Sequence, residues 1–175
     1  MIHFEQEDSP LYDANKLFVE KTINDLQKYN AQANGFCNSF GYDINISFTK
    51  NNVPVVLKLN KSQSTQNGVV VPINAIDTKR TELIFSNIGA KSHFAVGKSV
   101  AKRLFTSHRL KEIFPSPYYV DMHNEDLAHE LSKFVSDNQI EEAHLTDGNL
   151  TVVKYDEVNC NSLIDQCEQL IEQYK

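Results

Sequence analysis

The stretch Asp43-Ile44-Asn45-Ile46-Ser47-Phe48-Thr49-Lys50-Asn51-Asn52-Val53-Pro54-Val55-Val56-Leu57-Lys58-Leu59 sets the fold class. Ile44, Ile46 and Phe48 alternate with polar residues, and Val53, Val55, Leu57 and Leu59 alternate after Lys50-Asn51-Asn52. Side chains repeat every two residues along a strand, and asparagine tolerates left-handed backbone in a tight turn. The pattern therefore predicts an antiparallel hairpin with one buried face.

Working outward, Ser9-Pro10 reads as an N-cap and first-turn proline. Leu11, Phe18, Val19, Thr22, Leu26 and Tyr29 follow on one side of a helical wheel, predicting a helix over roughly residues 10 to 30. Ala33-Asn34-Gly35-Phe36-Cys37-Asn38-Ser39 breaks it. On the other side, the polar run Asn60 to Gly68 reads as a long hairpin loop before Val69-Val70-Val71-Pro72-Ile73, and strands are expected at Thr81–Phe85 and Ser92–Val96. Pro54 and Pro72 place Val53–Leu59 and Val69–Ile73 at sheet edges or bulges, where strand-mediated dimers are conceivable.

The last third changes period. A short helix is expected to begin near Gly97 to Val100, with a brief strand at Tyr118–Val120 and a helix capped by Asn124 with the stripe Leu127, Leu131, Phe134 and Val135. Ile140–Leu145 and Asn149–Tyr155 form a second hairpin through Thr146-Asp147-Gly148. Cys160, Leu163, Ile164, Cys167, Leu170, Ile171 and Tyr174 share one face of a closing helix. The expected fold is a single α+β domain over residues 1–175. It has a mainly antiparallel twisted sheet of about 6–8 strands, with the N-terminal and C-terminal amphipathic helices packed on one face.

Composition narrows the classes. With 175 residues, 41% hydrophobic and 23% charged, the chain can bury a good core without a disulfide or metal staple. No apolar run approaches the length of a membrane span, and Met1–Asp8 lacks the basic and apolar regions of a signal peptide, so no membrane insertion is expected. Cys37, Cys160 and Cys167 are an odd number without a C-x-x-C pair, which favours a reducing cytoplasm. The net charge of −6 hides two blocks: a local +7 from Lys79 to Lys111 and a local −10 from Asp121 to Lys175. In space they either neutralise each other or form opposed faces.

Motifs with chemistry are weak. Ser92-His93-Phe94-Ala95-Val96-Gly97-Lys98-Ser99 ends like a phosphate-binding loop but lacks its first glycine and reads better as a strand followed by a helix cap at Ser99. Ser99 with Asp121 and His123, His129 or His144 satisfies the order of a hydrolase triad without the required elbow. His129-Glu130-Leu131-Ser132-Lys133 begins like a zinc-protease helix, yet Lys133 stands where the second histidine must point, and His123, His129 and Asp126 make a poor ligand set. No catalytic residue, cofactor or metal ligand is assigned, and the cysteines read as small core hydrophobes.

Two surfaces remain. If Gly97 to Lys111 is helical, Lys98, Lys102 and Arg109 align with Phe105 beside them and Val100 and Leu104 opposite. With Arg103 and Lys111, the basic stretch Lys91–Lys111 would then hold a phosphate ligand or a nucleic acid, although the overall charge disfavours a polyanion. The acidic residues Glu125, Asp126, Glu130, Glu141, Glu142, Glu168 and Glu172 would complement a basic protein. The sequence therefore favours a non-enzymatic cytosolic protein-binding module of the immunity, chaperone or adaptor type using its acidic surface. Phosphate-ligand or nucleic-acid binding is the alternative, and an enzyme with a dispersed active site the third reading.

Overall fold

The computed structural model describes residues 1–5, 8–63, 77–90, 92–122 and 124–174. The chain is α+β, and the described residues form a nine-stranded mixed sheet and five α-helices. It forms two compact units, residues 1–82 with 155–158 and residues 83–154 with 159–175.

In the first unit, β1 (Ile2–Phe4) precedes α1 (Pro10–Leu26), followed by β2 (Gln32–Asn38), β3 (Gly41–Lys50), β4 (Val53–Gln63) and most of β5 (Asp77–Phe85). The expected hairpin is present: Lys50 pairs with Val53, and Asn51 and Asn52 have φ of 49° and 64°. Ile44 opposes Leu59, Ile46 opposes Leu57 and Phe48 opposes Val55, so cross-strand pairs fill one buried face. On α1, Phe18 stacks on Tyr42 at 5.4 Å, and Tyr29, just beyond the helix, stacks on Phe48 at 5.3 Å.

The sheet is mostly antiparallel, as expected, but larger than the expected 6–8 strands: nine strands are described, and it is mixed because β1 runs parallel to β2. Three residues are too few to show alternation, which is why β1 leaves no signal in the sequence. The segment read as a helix-breaking loop around Gly35 is β2. Its glycine answers a close approach: φ is +137°, and a Cβ there would lie 2.0 Å from the Asp43 carbonyl oxygen. Nor is Val53–Leu59 an edge, since β4 lies between β3 and β5; Pro54 fits as the second residue of the strand. Asn60 to Gln63 extend β4, whereas Ser64–Gly68 and the expected strand Val69–Ile73 lie outside the described residues. The buried stripe of α1 also differs from the wheel: Tyr12 and Asn15 face inward while Leu11 is exposed. Asn15 is tolerated there because its amide donates to the Asn38 carbonyl at 2.9 Å and accepts from Lys61 at 2.9 Å.

In the second unit, β6 (Phe94–Lys98), α2 (Val100–Arg103), α3 (His108–Ile113), β7 (Tyr118–Met122), α4 (Ala128–Asp137), β8 (Glu142–Thr146), β9 (Asn149–Lys154) and α5 (Cys160–Tyr174) follow in order. The strands are arranged β9-β8-β6-β7, each antiparallel to its neighbour. Phe94 opposes Leu145 and Met122, and Val96 opposes Ala143 and Val120, making a continuous apolar face. All seven stripe residues of α5 are buried, and Tyr174 meets Phe94 with ring centroids 5.0 Å apart. Cys160 and Cys167 belong to that stripe, and burial pushes the Cys167 thiol upward, so it stays protonated. Among the described residues, no helix is long and apolar enough to cross a membrane.

Glu82, near the end of the first unit's part of β5, accepts from Lys58 at 3.1 Å and pairs with Arg80 at 2.6 Å. Burial alone would push its carboxyl up, but the hydrogen bonds and charges of the two cations outweigh it and hold the pKa below the usual value. A depressed carboxylate stabilises the fold above its unfolded pKa, and that contribution is lost as pH falls through the folded one. With both cations nearly half exposed, Glu82→Gln is expected to cost on the order of 1 kcal/mol near neutral pH and almost nothing in strong acid, measured by urea unfolding across pH. An equal loss at both ends of the range would contradict the ion-pair account.

Candidate functional site

The segment between β6 and β7 departs most from its expected form. A basic stripe requires one helix from Gly97 to Lys111, but two short helices stand there, and Lys98, Lys102 and Arg109 do not share a helical face. Serine chemistry explains the division. The Ser99 hydroxyl accepts from the Lys102 amide and starts α2; the Ser107 hydroxyl accepts from the Leu110 amide and starts α3. Between the helices, Thr106 is buried and its hydroxyl accepts from the Val120 amide of β7 at 3.0 Å. The string Gly97-Lys98-Ser99 thus ends a strand and caps a helix.

Arg103 organises the segment. One of its terminal nitrogens donates to the carbonyls of Pro115 and Tyr118, and the other donates to those of Lys111 and Phe114, both at 3.0 Å. Four carbonyls, from the last turn of α3 to the first residue of β7, thereby find a donor in one planar guanidinium, a task that a lysine cannot perform. Lys111 returns the contact by donating to the Leu104 carbonyl at 3.1 Å. The turn itself is bonded: Leu104, Phe105 and Thr106 donate their amides to Ala101, Lys102 and Arg103 respectively. With Thr106 and Arg103 drawn inward, the residues around them point out. Val100 is 73% exposed, Leu104 75% and Phe105 91%. Three large apolar side chains this exposed on one turn form a protruding knob, in contrast to the isolated surface hydrophobes that every protein carries.

The expected site residues lie on several elements. Lys98 pairs with Glu141 at 2.5 Å, Arg109 with Glu125 at 3.1 Å and Lys79 with Glu157 at 3.5 Å, so the basic and acidic blocks meet and neutralise at these points. Lys102 lies over the Tyr119 ring, 4.9 Å from its centroid. Glu142 lies 3.6 Å from His144. Asp126 is exposed in the turn before α4, while Glu168 and Glu172 lie on α5. Glu130 borders an open groove of about 550 Å³ between α4 and α5, with His129, Lys133 and Asp137 on one wall and Gln169 and Gln173 on the other. The structure thus brings the five cations of the segment into one region and scatters the seven acids over several elements. Lys91 and His123 lie outside the described residues, and among those described no three His, Cys, Asp or Glu side chains converge as metal ligands.

Tyr118, at the start of β7, is buried. Its buried hydroxyl donates to the Ile140 carbonyl at 2.6 Å, and burial, followed by the nearby Glu141 charge, pushes its pKa up to about 12. It is therefore a fixed donor throughout the ordinary pH range. The sequence reading missed Val100 and Leu104 as surface features because it placed them opposite the cations of one long helix, whereas that helix ends at Arg103. The available signal was the pair Ser99 and Ser107, two caps eight residues apart, which leave no room for one long helix.

Arg103→Ala, which leaves carbonyls without a donor, is expected to lower stability by about 2–4 kcal/mol, and Arg103→Lys to restore only a minor part of it. Urea unfolding reads the difference, and a loss below about 0.5 kcal/mol would show that the guanidinium does not hold the segment. A comparison of the chain with protein-family models, curated proteins and solved structures finds no match in any of the three.

Proposed function

We propose that this chain is a non-enzymatic protein-binding module of the adaptor, chaperone or immunity type, which docks through the knob of Val100, Leu104 and Phe105. The observation that carries the reading is Phe105, an aromatic side chain 91% exposed on a turn whose every amide from Arg103 to Thr106 is hydrogen-bonded. An exposed phenylalanine on a loose loop is ordinary; one held outward by bonded backbone is pre-organised for burial elsewhere. Burying each of the three side chains contributes roughly 1.5–3 kcal/mol, the size of an interface anchor. Association itself costs several kcal/mol, so the knob anchors a larger contact and does not make a tight complex alone.

Two competing surfaces are weaker. Glu125 and Glu141, members of the expected acidic face, already face Arg109 and Lys98. A phosphate clamp would need those same cations, and Arg103 and Lys111 are directed to carbonyl oxygens. Three buried cysteines outside any disulfide fit action in a reducing cytoplasm.

A photoreactive benzoyl-phenylalanine in place of Phe105 tests the reading. Irradiation in the native cell is expected to yield one discrete adduct with a partner protein. The same group at exposed Ser136 on α4 is expected to yield none. A partner that co-purifies with the chain but forms no adduct from positions 100, 104 or 105 would contradict docking through the knob.

A further inference from the structure

We infer that the surface receiving the knob is an apolar pocket edged by carboxylates, so that the partner is acidic at its contact with this chain. The inference rests on the docking reading above and adds the chemistry of the other side. It follows from which cations near the knob are compensated and which are not. Lys98 and Arg109, at the ends of the segment, have carboxylate partners in Glu141 and Glu125. Lys102, Arg103 and Lys111 do not: their partners are the Tyr119 ring and backbone carbonyls, all without net charge. Three full positive charges therefore remain at the foot of the knob. Lys111 donates to the carbonyl of Leu104 itself, and Lys102 and Arg103 immediately precede Leu104.

A partner that covers Phe105 and Leu104 also removes water from these cations. Loss of hydration without a counter-charge would offset the gain from burying the apolar groups, so a neutral or basic pocket is selected against. Carboxylates at the rim remove that penalty and steer the encounter. An anionic bilayer also offers negative charge to an apolar wedge. It fits less well, because the chain carries 23 acidic against 17 basic residues and a like-charged surface repels everything but the knob. For a polyanionic nucleic acid the three apolar side chains have no counterpart among phosphates.

The probe is the protein recovered by crosslinking from position 105, purified and titrated with the full chain by calorimetry. Between about 50 and 300 mM salt the dissociation constant is expected to rise at least about tenfold. Lys102→Glu, at an exposed side chain and with an intact fold checked by circular dichroism, is expected to weaken binding about tenfold at low salt and little at high salt. Phe105→Ala is expected to weaken it about tenfold or more at both. If Phe105→Ala weakens binding but salt and Lys102→Glu change it less than about twofold, the docking reading stands and the acidic pocket is wrong. If Phe105→Ala changes nothing, the docking reading itself falls. Sedimentation with vesicles containing about 30% phosphatidylserine, lost on Phe105→Ala, would overturn the protein pocket in favour of a membrane surface.

Discussion

Four backbone carbonyls between Lys111 and Tyr118 point at one place, and the guanidinium of Arg103 is there to meet them. Partly buried carbonyls without donors are costly, and only arginine carries enough N–H groups in one plane to serve four. That requirement fixes where α2 ends, which way Arg103 turns and, by exclusion, which way its neighbours turn. Thr106 adds a second inward anchor on the amide of Val120. Since β7 is the last strand in the sheet order, the two anchors also occupy hydrogen-bonding groups that an open strand edge would leave available to another chain. The segment thus blocks one mode of association, edge-to-edge pairing, while it presents another.

Charge follows the same geometry. The sequence shows a basic block and an acidic block, and their meeting is selective: ion pairs form at Lys98 and Arg109, while the cations between them answer to neutral groups. Exposed pairs of this kind contribute little to stability. Their larger effect is on the potential, which they flatten at the margins of the segment and leave positive at its centre. Apolar anchor and residual charge coincide, and recognition by an acid-rimmed pocket is the simplest use of that coincidence.

Legibility in the sequence tracked how far each element depends on its own periodicity. The closing helix was readable to the residue because an amphipathic helix of four turns repeats its stripe often enough to exclude other patterns. The hairpin at Lys50–Val53 was readable because alternation on both sides agreed with the turn chemistry of two asparagines. By contrast, β2 was hidden: Gly35 signals a turn in most contexts, and here it yields space to the Asp43 carbonyl across a strand pair. The knob was hidden for a different reason. On one long helix Val100 and Leu104 lie opposite the cations and Phe105 beside them, and only the tertiary partners of Arg103 and Thr106 bring the three out together. A functional surface that contradicts the local pattern is where sequence reasoning is expected to fail.

The account turns on the knob being held out and not merely loose. Backbone amide relaxation across Val100–Thr106 in the isolated protein measures this directly. Order parameters of about 0.85, equal to those of β6, are the expected result; values below about 0.6 would mean a mobile loop with an incidental aromatic and would contradict pre-organised docking.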